Sequence, residues 1–282
     1  MKISPLLWLW LLVIAGTSCN TEAPASDQTL EQETTVSDFF LEKGALLGVH
    51  FGIHKPNASI RASRNFLRYS FFPNWKGLVP GSEAFYLRPD RGNHLGDEGF
   101  LWVFQNQEAR DVYFPEKDFP SEAFEEIRSS VDWLYADSTF FRYFQFGWNT
   151  SGFSADYEVI AISDSIRQEW LSKDAMLVFK HYALKDGQDS LAFEQFLSSE
   201  WAPAKSNSLP GVQSAFLKVG RGYRSGQYAL LQVFENIMAR NQILPYGGTG
   251  EEQVNGLDPI DTKLRDFLDL SAEDEGHYEI IY

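Results

Sequence analysis

The sequence contains an internal repeat, and this feature constrains the fold more than any other. The segment 79–111, which begins VPGSEAFYLRPDRG, matches the segment 209–241, which begins LPGVQSAFLKVGRG, at a constant offset of 130 residues. Such a repeat has to be recognised before a fold is assigned, because each copy is one structural unit. Identical pairs within these segments include Pro80/Pro210, Gly81/Gly211, Arg91/Arg221, Gly92/Gly222, Asn106/Asn236 and Arg110/Arg240.

Each copy is predicted to contain the element order β-α-β-β-α-β. The apolar runs ALLGVHFGIH (45–54) and AMLVFKHYAL (175–184) have the length of strands, and a helical pattern follows each until Pro73 or Pro203. A Pro-Gly turn then leads into a hairpin, after which Asn106 and Asn236 are predicted helix N-caps. A second helix and the closing strands YEVIA and YEIIY complete about 115 residues, the size of one small domain. This order is the ferredoxin-like split unit.

One such unit covers only one face of its antiparallel sheet with helices, so the second copy is expected to cover the other face. The predicted fold class is therefore α+β, with two tandem ferredoxin-like βαββαβ repeats packed sheet to sheet as a pseudo-dimeric α+β barrel. The predicted boundaries are a signal peptide at 1–19, a flexible acidic tether at 20–40, the first repeat at 41–161, a connecting helix at 162–173 and the second repeat at 174–282.

The N-terminus predicts export. Lys2 precedes an apolar run, small residues follow, and the only cysteine of the chain is Cys19, which excludes an intramolecular disulfide and a cysteine metal cage. The segment resembles a bacterial lipoprotein signal, which implies cleavage before Cys19 and its acylation, for example with palmitate. The leucine usual three positions before that cysteine is replaced by Gly16, and ordinary cleavage after Ala25 is the alternative. Asn20 rather than Asp favours the outer membrane, with the leaflet left open.

Charge and missing motifs exclude several classes of function. The net charge is −15 and no basic stripe is predicted, so nucleic acid is not an expected partner. The sequence lacks GxxxxGK[ST], HExxH and GxSxG, which argues against nucleotide hydrolysis, zincin chemistry and α/β-hydrolase chemistry. The expected partners are a membrane, through the lipid, and a small-molecule ligand; further oligomerisation is left open.

The motif FxxFLxxxWxP at 193–203, followed by LPGV at 209, resembles the dimeric α+β barrel superfamily, which includes EthD-like, antibiotic-biosynthesis monooxygenase-like and NIPSNAP proteins. In the first copy Phe71 stands where the second has Trp201. The resemblance implies a barrel that binds a small molecule, and cofactor-free oxygenase chemistry as an alternative. No cofactor is assigned, but haem stays open because related barrels hold it through a single histidine.

Strand alternation divides the candidate site residues from the core. Leu101/Leu231 and Val103/Val233 are expected on the helix-packed face, and the opposite face is expected to line the barrel interior as a ligand cavity. No metal site is predicted, since His50 and His54 on one strand would lie about 13 Å apart. The candidate ligand-binding residues are His50, Trp102, Glu158, Lys180, Tyr182, Gln232 and Glu279.

Each candidate also has a purely structural interpretation. His50 and Lys180 are solvated or packed in many strands of this kind, Trp102 suits a packing role, and the paired Glu158 and Glu279 suit a shared fold feature. His181 is predicted to be a hydrogen-bonded core histidine. Three functions therefore stay open: an envelope lipoprotein that binds a small apolar or aromatic ligand, a cofactor-free oxygenase or EthD-like enzyme, and an interaction module with a filled barrel.

Overall fold

The computed structural model describes residues 40–92, 95–115, 121–129, 139–146, 155–163, 166–167, 171–206, 211–222, 224–245 and 259–282. All of them belong to the unit Asp38–Tyr282. The predicted signal peptide with Cys19, and the predicted tether up to residue 39, lie outside the described residues.

The first repeat follows the predicted order. Its elements are β1 (Phe40–Leu41), β2 (Leu46–His54), α1 (Ile60–Phe66), a π-helical turn (Leu67–Phe71), α2 (Phe72–Trp75), β3 (Ser82–Gly92), β4 (Glu98–Phe104), α3 (Gln107–Tyr113), α4 (Glu122–Ser129), β5 (Phe144–Phe146) and β6 (Ala155–Ile162). The N-cap prediction is confirmed, because the Asn106 side chain accepts a 2.8 Å hydrogen bond from the backbone N–H of Ala109.

The second repeat reproduces this order, preceded by a short strand, β7 (Ile166–Arg167). Its elements are β8 (Met176–Leu184), α5 (Ser190–Phe196), a π-helical turn (Leu197–Trp201), α6 (Ala202–Lys205), β9 (Val212–Gly222), β10 (Tyr228–Phe234), α7 (Ile237–Ile243), α8 (Pro259–Phe267) and β11 (Leu268–Ile280). The prediction of a connecting helix at 162–173 is wrong at Ile166 and Arg167. These two residues form the strand β7, which pairs with β1.

Eight of the described strands close into an antiparallel barrel. The order is β4-β3-β11-β8-β10-β9-β6-β2, and β2 pairs again with β4. Each repeat supplies four adjacent strands, and the repeats join where β3 pairs with β11 and where β6 pairs with β9. The ring therefore leaves these eight strands without a free edge, which is how one chain satisfies the edges of two ferredoxin-like sheets.

The barrel interior is filled by apolar side chains from all eight strands. Tyr157 of β6 contacts Phe179 of β8 with ring centroids 5.8 Å apart, although these strands are not neighbours in the barrel, so the contact crosses the interior. Buried members of this cluster include Leu47, Val49, Phe51, Leu87, Leu101, Val103, Val159, Leu177, Leu217, Leu231, Val233 and Ile280. His181 also points inward and is fully buried, and its Nε2 lies 2.9 Å from the Tyr157 hydroxyl, which confirms the core histidine.

The predicted assignment of faces is wrong. Leu101 and Val103, expected under the helices, lie inside the barrel, whereas Phe100 packs against Phe71 and Phe72 on the helix side. Alternation separates the two faces of a strand but does not say which is internal when both are buried. The polar candidates therefore face the helices rather than the interior.

The repeated arginines connect the two repeats. Arg221 donates to the carbonyl oxygen of Phe114 at 3.0 Å and to Asp111 Oδ1 at 3.2 Å. At the equivalent place, Arg91 donates to the carbonyl oxygen of Leu244 at 2.9 Å. Each arginine thus contacts the C-terminal end of the helix that follows the third strand in the other repeat, α3 or α7. These contacts connect the two halves of the pseudo-dimer.

Candidate functional site

The helix-facing side of β2 carries two glycines around His50. Gly48, His50 and Gly52 share this face because side chains alternate along a strand. A Cβ atom added to Gly48 would lie 3.4 Å from His50 Nε2 and 3.5 Å from Asp156 Oδ1. The imidazole and the carboxylate therefore border the same small space above Gly48.

Arginines from both repeats hold the Asp156 carboxylate. Arg110 Nη1 donates to Asp156 Oδ2, and Arg221 Nη1 lies 3.8 Å from the same oxygen. Asp156 Oδ1 is the oxygen on the side of Gly48 and His50. The pairing fixes the position of the Asp156 carboxyl group beside an imidazole, an arrangement that supports proton transfer by the histidine.

His50 is expected to be neutral near pH 7. Burial lowers the pKa of His50 below its ordinary value, and the charge of Asp156 opposes this only in part. A neutral imidazole has one nitrogen that can accept a proton or a hydrogen bond. On β4, Phe100 pairs with His50 and Trp102 pairs with Gly48, so the neighbouring surface is aromatic. This combination suits an aromatic molecule with an acidic group.

The second repeat fills the equivalent space. Val178 replaces Gly48 and is fully buried, and Lys180 replaces His50. Lys180 Nζ forms a 3.1 Å ion pair with Glu275. Burial opposes the ionisation of Glu275, but hydrogen bonds and charges from His277 and Lys180 outweigh it and lower the pKa of Glu275 to about 2. Lys180 is therefore part of an ion pair rather than a neutral base.

His277 occupies the position that corresponds to Asp156. Arg240 is fully buried and donates from Nη1 to His277 Nδ1 at 2.6 Å, so the ring proton lies on Nε2, which faces Glu275. Arg240 also donates to Asp90 Oδ2 of the first repeat at 2.6 Å. These contacts give His277 a structural role at the junction of the repeats.

The first repeat contains a second polar centre around the buried carboxylate of Glu98. Arg64 Nε donates to Glu98 Oε1 at 2.6 Å and the Tyr86 hydroxyl donates to Oε2 at 2.5 Å. His54 Nε2 lies 3.1 Å from Oε1, and its Nδ1 lies 3.2 Å from the buried Ser63 hydroxyl. Burial, followed by the charge of Glu98, raises the pKa of Tyr86. Three donors thus compensate a carboxylate that is withdrawn from water.

The side-chain contacts run from Ser63 to His54 to Glu98, as in a hydrolytic triad, but the geometry argues for a structural role. Ser63 is 0% exposed, and its hydroxyl is 2.8 Å from the Ile60 carbonyl, to which it donates within α1. A nucleophilic serine has to reach a substrate carbonyl. Glu98, Arg64, Tyr86, His54 and Ser63 form a structural cluster, which we call the Glu98 centre.

The other predicted site residues of the first repeat have different surroundings. Trp102 packs edge-on against Trp75 with ring centroids 4.9 Å apart, and it stays partly exposed. Glu158 is exposed, and its strand partner on β9 is Lys218. Trp102 is next to the His50 surface, whereas Glu158 lies beyond Asp156 along β6.

In the second repeat the predicted residues belong to packing and ion pairs. Tyr182 is 7% exposed within the apolar cluster under α5. Gln232 is partly exposed and pairs with Val178. Glu279 forms an ion pair with Arg88 across the β3–β11 junction. The structure therefore does not bring all seven candidates together, and of the seven it places His50 and Trp102 next to Gly48 of β2.

Sequence reasoning missed Asp156, Glu98 and His54. No sequence pattern marks Asp156 as functional. Its partner Arg110 could have been found, because the second repeat has an arginine, Arg240, at the same position. Within the described ranges, no three histidine, cysteine or acidic side chains are arranged to hold a metal ion. In the same residues no helix is long and apolar enough to cross a membrane.

A haem iron needs an accessible histidine nitrogen. Both ring nitrogens of His54 and of His277 are in hydrogen bonds, and His181 is enclosed in the barrel. These three residues do not suit a haem iron.

Comparison with known proteins supports the fold. No protein-family model matches the chain, and no curated protein does. One similar solved structure is an anthrone oxidase-like protein, with 11% identity, a TM-score of 0.50 and coverage of 86% of this chain and 93% of the other. Another is described as a candidate monooxygenase from Lactobacillus acidophilus NCFM, with 10% identity, a TM-score of 0.47 and coverage of 84% and 93%. With the strand order above, the first likeness places this chain in the dimeric α+β barrel fold class.

Proposed function

We propose that the first repeat binds a small apolar or aromatic molecule on the helix-facing side of β2, next to His50. The observation that supports this is the difference between the repeats at two positions. Gly48 carries no side chain between His50 and Asp156, where the second repeat has the buried Val178, and His50 offers a neutral imidazole where Lys180 is in an ion pair. The ligand site is placed outside the barrel because the interior is packed with side chains.

The experiment adds side-chain volume at this space. Calorimetric titration with 1-naphthol, a bicyclic phenol, is expected to show binding that Gly48→Val weakens by at least about tenfold, because the valine methyl groups would enter the space between His50 and Asp156. Gly220→Val is the matched control, since a Cβ at this strand glycine meets only the Asp156 carbonyl oxygen at 3.9 Å. Equal affinity of both variants would refute the site.

Oxygenase-like chemistry is the second candidate, favoured by the neutral His50 beside Asp156. His50 would take a proton from a quinol, and molecular oxygen would oxidise the resulting anion to the quinone, taking up two electrons and two protons, one of them returned by His50, to leave as hydrogen peroxide. Oxygen uptake with a quinol should then be lost in His50→Ala and kept in Lys180→Ala. Turnover that survives His50→Ala removes the histidine as the base, and a Soret band in protein purified from membranes would point to haem instead.

The filled interior also fits an interaction module without a small-molecule ligand. The same titration separates the two functions. If neither 1-naphthol nor quinols bind to the wild-type chain, the interaction module replaces the ligand-binding proposal. Binding that is weakened by Gly48→Val supports the ligand-binding proposal.

For localisation, we propose that a lipid on Cys19 holds the protein at a bacterial cell envelope, with the outer membrane favoured. This rests on the sequence of residues 1–20 alone. Cells grown with labelled palmitate should label the wild-type protein and leave Cys19→Ala unlabelled. A mature N-terminus at Ser26 in the wild type would instead establish ordinary cleavage after Ala25.

A further inference from the structure

The outer face of α1 and the following π-helical turn is strongly cationic. The segment 54–82 contains Lys55, Arg61, Arg64, Arg68 and Lys76 and no acidic residue, in a chain of net charge −15. This corrects the expectation that the sequence has no basic stripe. Ile60, Arg61, Asn65, Arg68 and Tyr69 are exposed at a spacing that puts them on one side of the helix. We call this surface, with Lys55 and Arg142, the basic face.

Beside the basic face lies a cavity of a size that suits a small ligand. It measures about 590 Å³ and contains two cations and no acidic side chain. Arg142 is exposed there and makes no hydrogen bond or ion pair to the described residues, while Lys55 donates to the Phe141 carbonyl oxygen. The lining residues are Lys55, Pro56, Asn57, Ala58, Ser59, Ala62, Arg142 and Tyr143.

Large apolar side chains are exposed next to these cations. Ile60 is 49% exposed, Tyr69 68% and Phe141 52%. Arginines interspersed with exposed apolar and aromatic side chains are typical of surfaces that lie at a lipid–water interface, where the cations meet phosphates and the apolar groups enter the boundary region.

The second repeat supplies an internal comparison. At the positions of Arg61, Arg64 and Arg68 it has Leu191, Glu194 and Ser198, and Asp189 replaces Ser59 as N-cap. The same fold therefore does not require Arg61, Arg64 or Arg68, whereas Lys55 is repeated as Lys185.

We propose that the basic face and its cavity bind the phosphate groups of anionic phospholipids and so orient the folded unit on a membrane. The chemistry that is recognised is a phosphate anion, and the source is the lipid headgroup. The occupancy of this surface is independent of a ligand at His50.

The test uses the full chain carrying Cys19→Ala, so that no acyl chain contributes. Co-sedimentation with phosphatidylglycerol vesicles is compared with phosphatidylcholine vesicles at low and high salt. Arg61→Glu with Arg68→Glu should reduce binding to the anionic vesicles by at least about tenfold, and Arg142→Ala should reduce it less. The N-terminal apolar segment is the same in all variants and cancels in these ratios.

The matched control is Lys43→Glu with Lys173→Glu, which changes the net charge equally at exposed lysines elsewhere. A loss of binding in the first pair and not in the control supports the basic face. Equal losses in both pairs, or no preference for anionic vesicles, overturn the proposal. Binding of glycerol 1-phosphate without binding to the vesicles overturns the lipid source. Circular dichroism of each variant establishes that it is folded.

Discussion

The two repeats share a backbone plan but differ in what they place between the sheet and the helices. In the second repeat this layer is aromatic: Phe193 contacts Tyr228 edge-on with centroids 4.8 Å apart, and Trp201 packs on Phe216. In the first repeat the same layer contains the Glu98 centre. The equivalent pairs are His54/Leu184, Ser63/Phe193, Arg64/Glu194, Tyr86/Phe216 and Glu98/Tyr228.

This difference shows which residues the fold needs. In the second repeat the helix carboxylate Glu194 is partly exposed where it accepts from Tyr228, whereas a fully buried carboxylate such as Glu98 costs desolvation free energy that its partners have to offset. The buried polar groups around Glu98, and the glycine at position 48 beside His50, therefore go beyond what the architecture requires. We look for function in the first repeat for this reason.

The largest effect is expected at Glu98. Glu98→Ala should lower the free energy of unfolding by about 3–5 kcal/mol, because it leaves Arg64, His54 and Tyr86 partly buried without their common acceptor. The equivalent change in the second repeat, Tyr228→Phe, removes one hydrogen bond to Glu194 and should cost about 1 kcal/mol. Urea unfolding measures both. Similar losses of the free energy of unfolding in the two variants would contradict a larger stabilising contribution from the Glu98 centre.

A smaller effect is expected at the ion pair that fills the second repeat. The pKa of Glu275 is lowered to about 2. Its ionised form therefore stabilises the fold above pH about 4.5, and this contribution is lost as the pH falls from there towards 2. Partial exposure reduces the contribution to about 1–2 kcal/mol. Glu275→Gln should remove it at pH 7 and flatten the acid limb of the stability curve, and an unchanged limb would contradict this.

The smallest stability effect concerns His50. Its pKa is lower in the folded state than in the unfolded chain, so the unfolded chain binds the proton first and stability decreases as the pH drops below about 6.5. His50→Gln should remove this part of the loss. Lys180→Gln, at the equivalent position, should leave it unchanged. Thermal unfolding between pH 8 and pH 5 measures the difference, and parallel curves for wild type and His50→Gln would contradict it.

Much of the fold could be predicted from the sequence. The offset of 130 residues identified two units, and strand-length runs, the Pro-Gly turns and the N-caps at Asn106 and Asn236 gave their element order. The prediction of a barrel built from two such units also implies that the edge strands of the repeats pair with each other to close the sheet. The short strand β7 was missed because a strand of two residues is too short to show the alternation of apolar and polar residues from which strands are predicted.

The site could be predicted only in part. Alternation placed Gly48 and His50 on one face, but both faces of these strands are apolar and buried, so the sequence did not say which face was internal. Asp156 meets His50 through a pairing of β2 with β6 more than 100 residues apart along the chain. The basic face was overlooked because the net charge of the whole chain hides a local excess of arginine.

The histidines offer the most direct test of where a ligand binds, since they report from different places. His50 lies on the helix-facing side of β2, His54 in the Glu98 centre, His181 inside the barrel and His277 at the junction in the second repeat. Imidazole ¹H–¹⁵N NMR spectra, assigned with His→Gln variants, should be recorded during titration with 1-naphthol. We predict that the His50 resonances shift while those of His181 and His277 stay in place. A shift of His181 or His277 with His50 unchanged would contradict a ligand site on the first repeat.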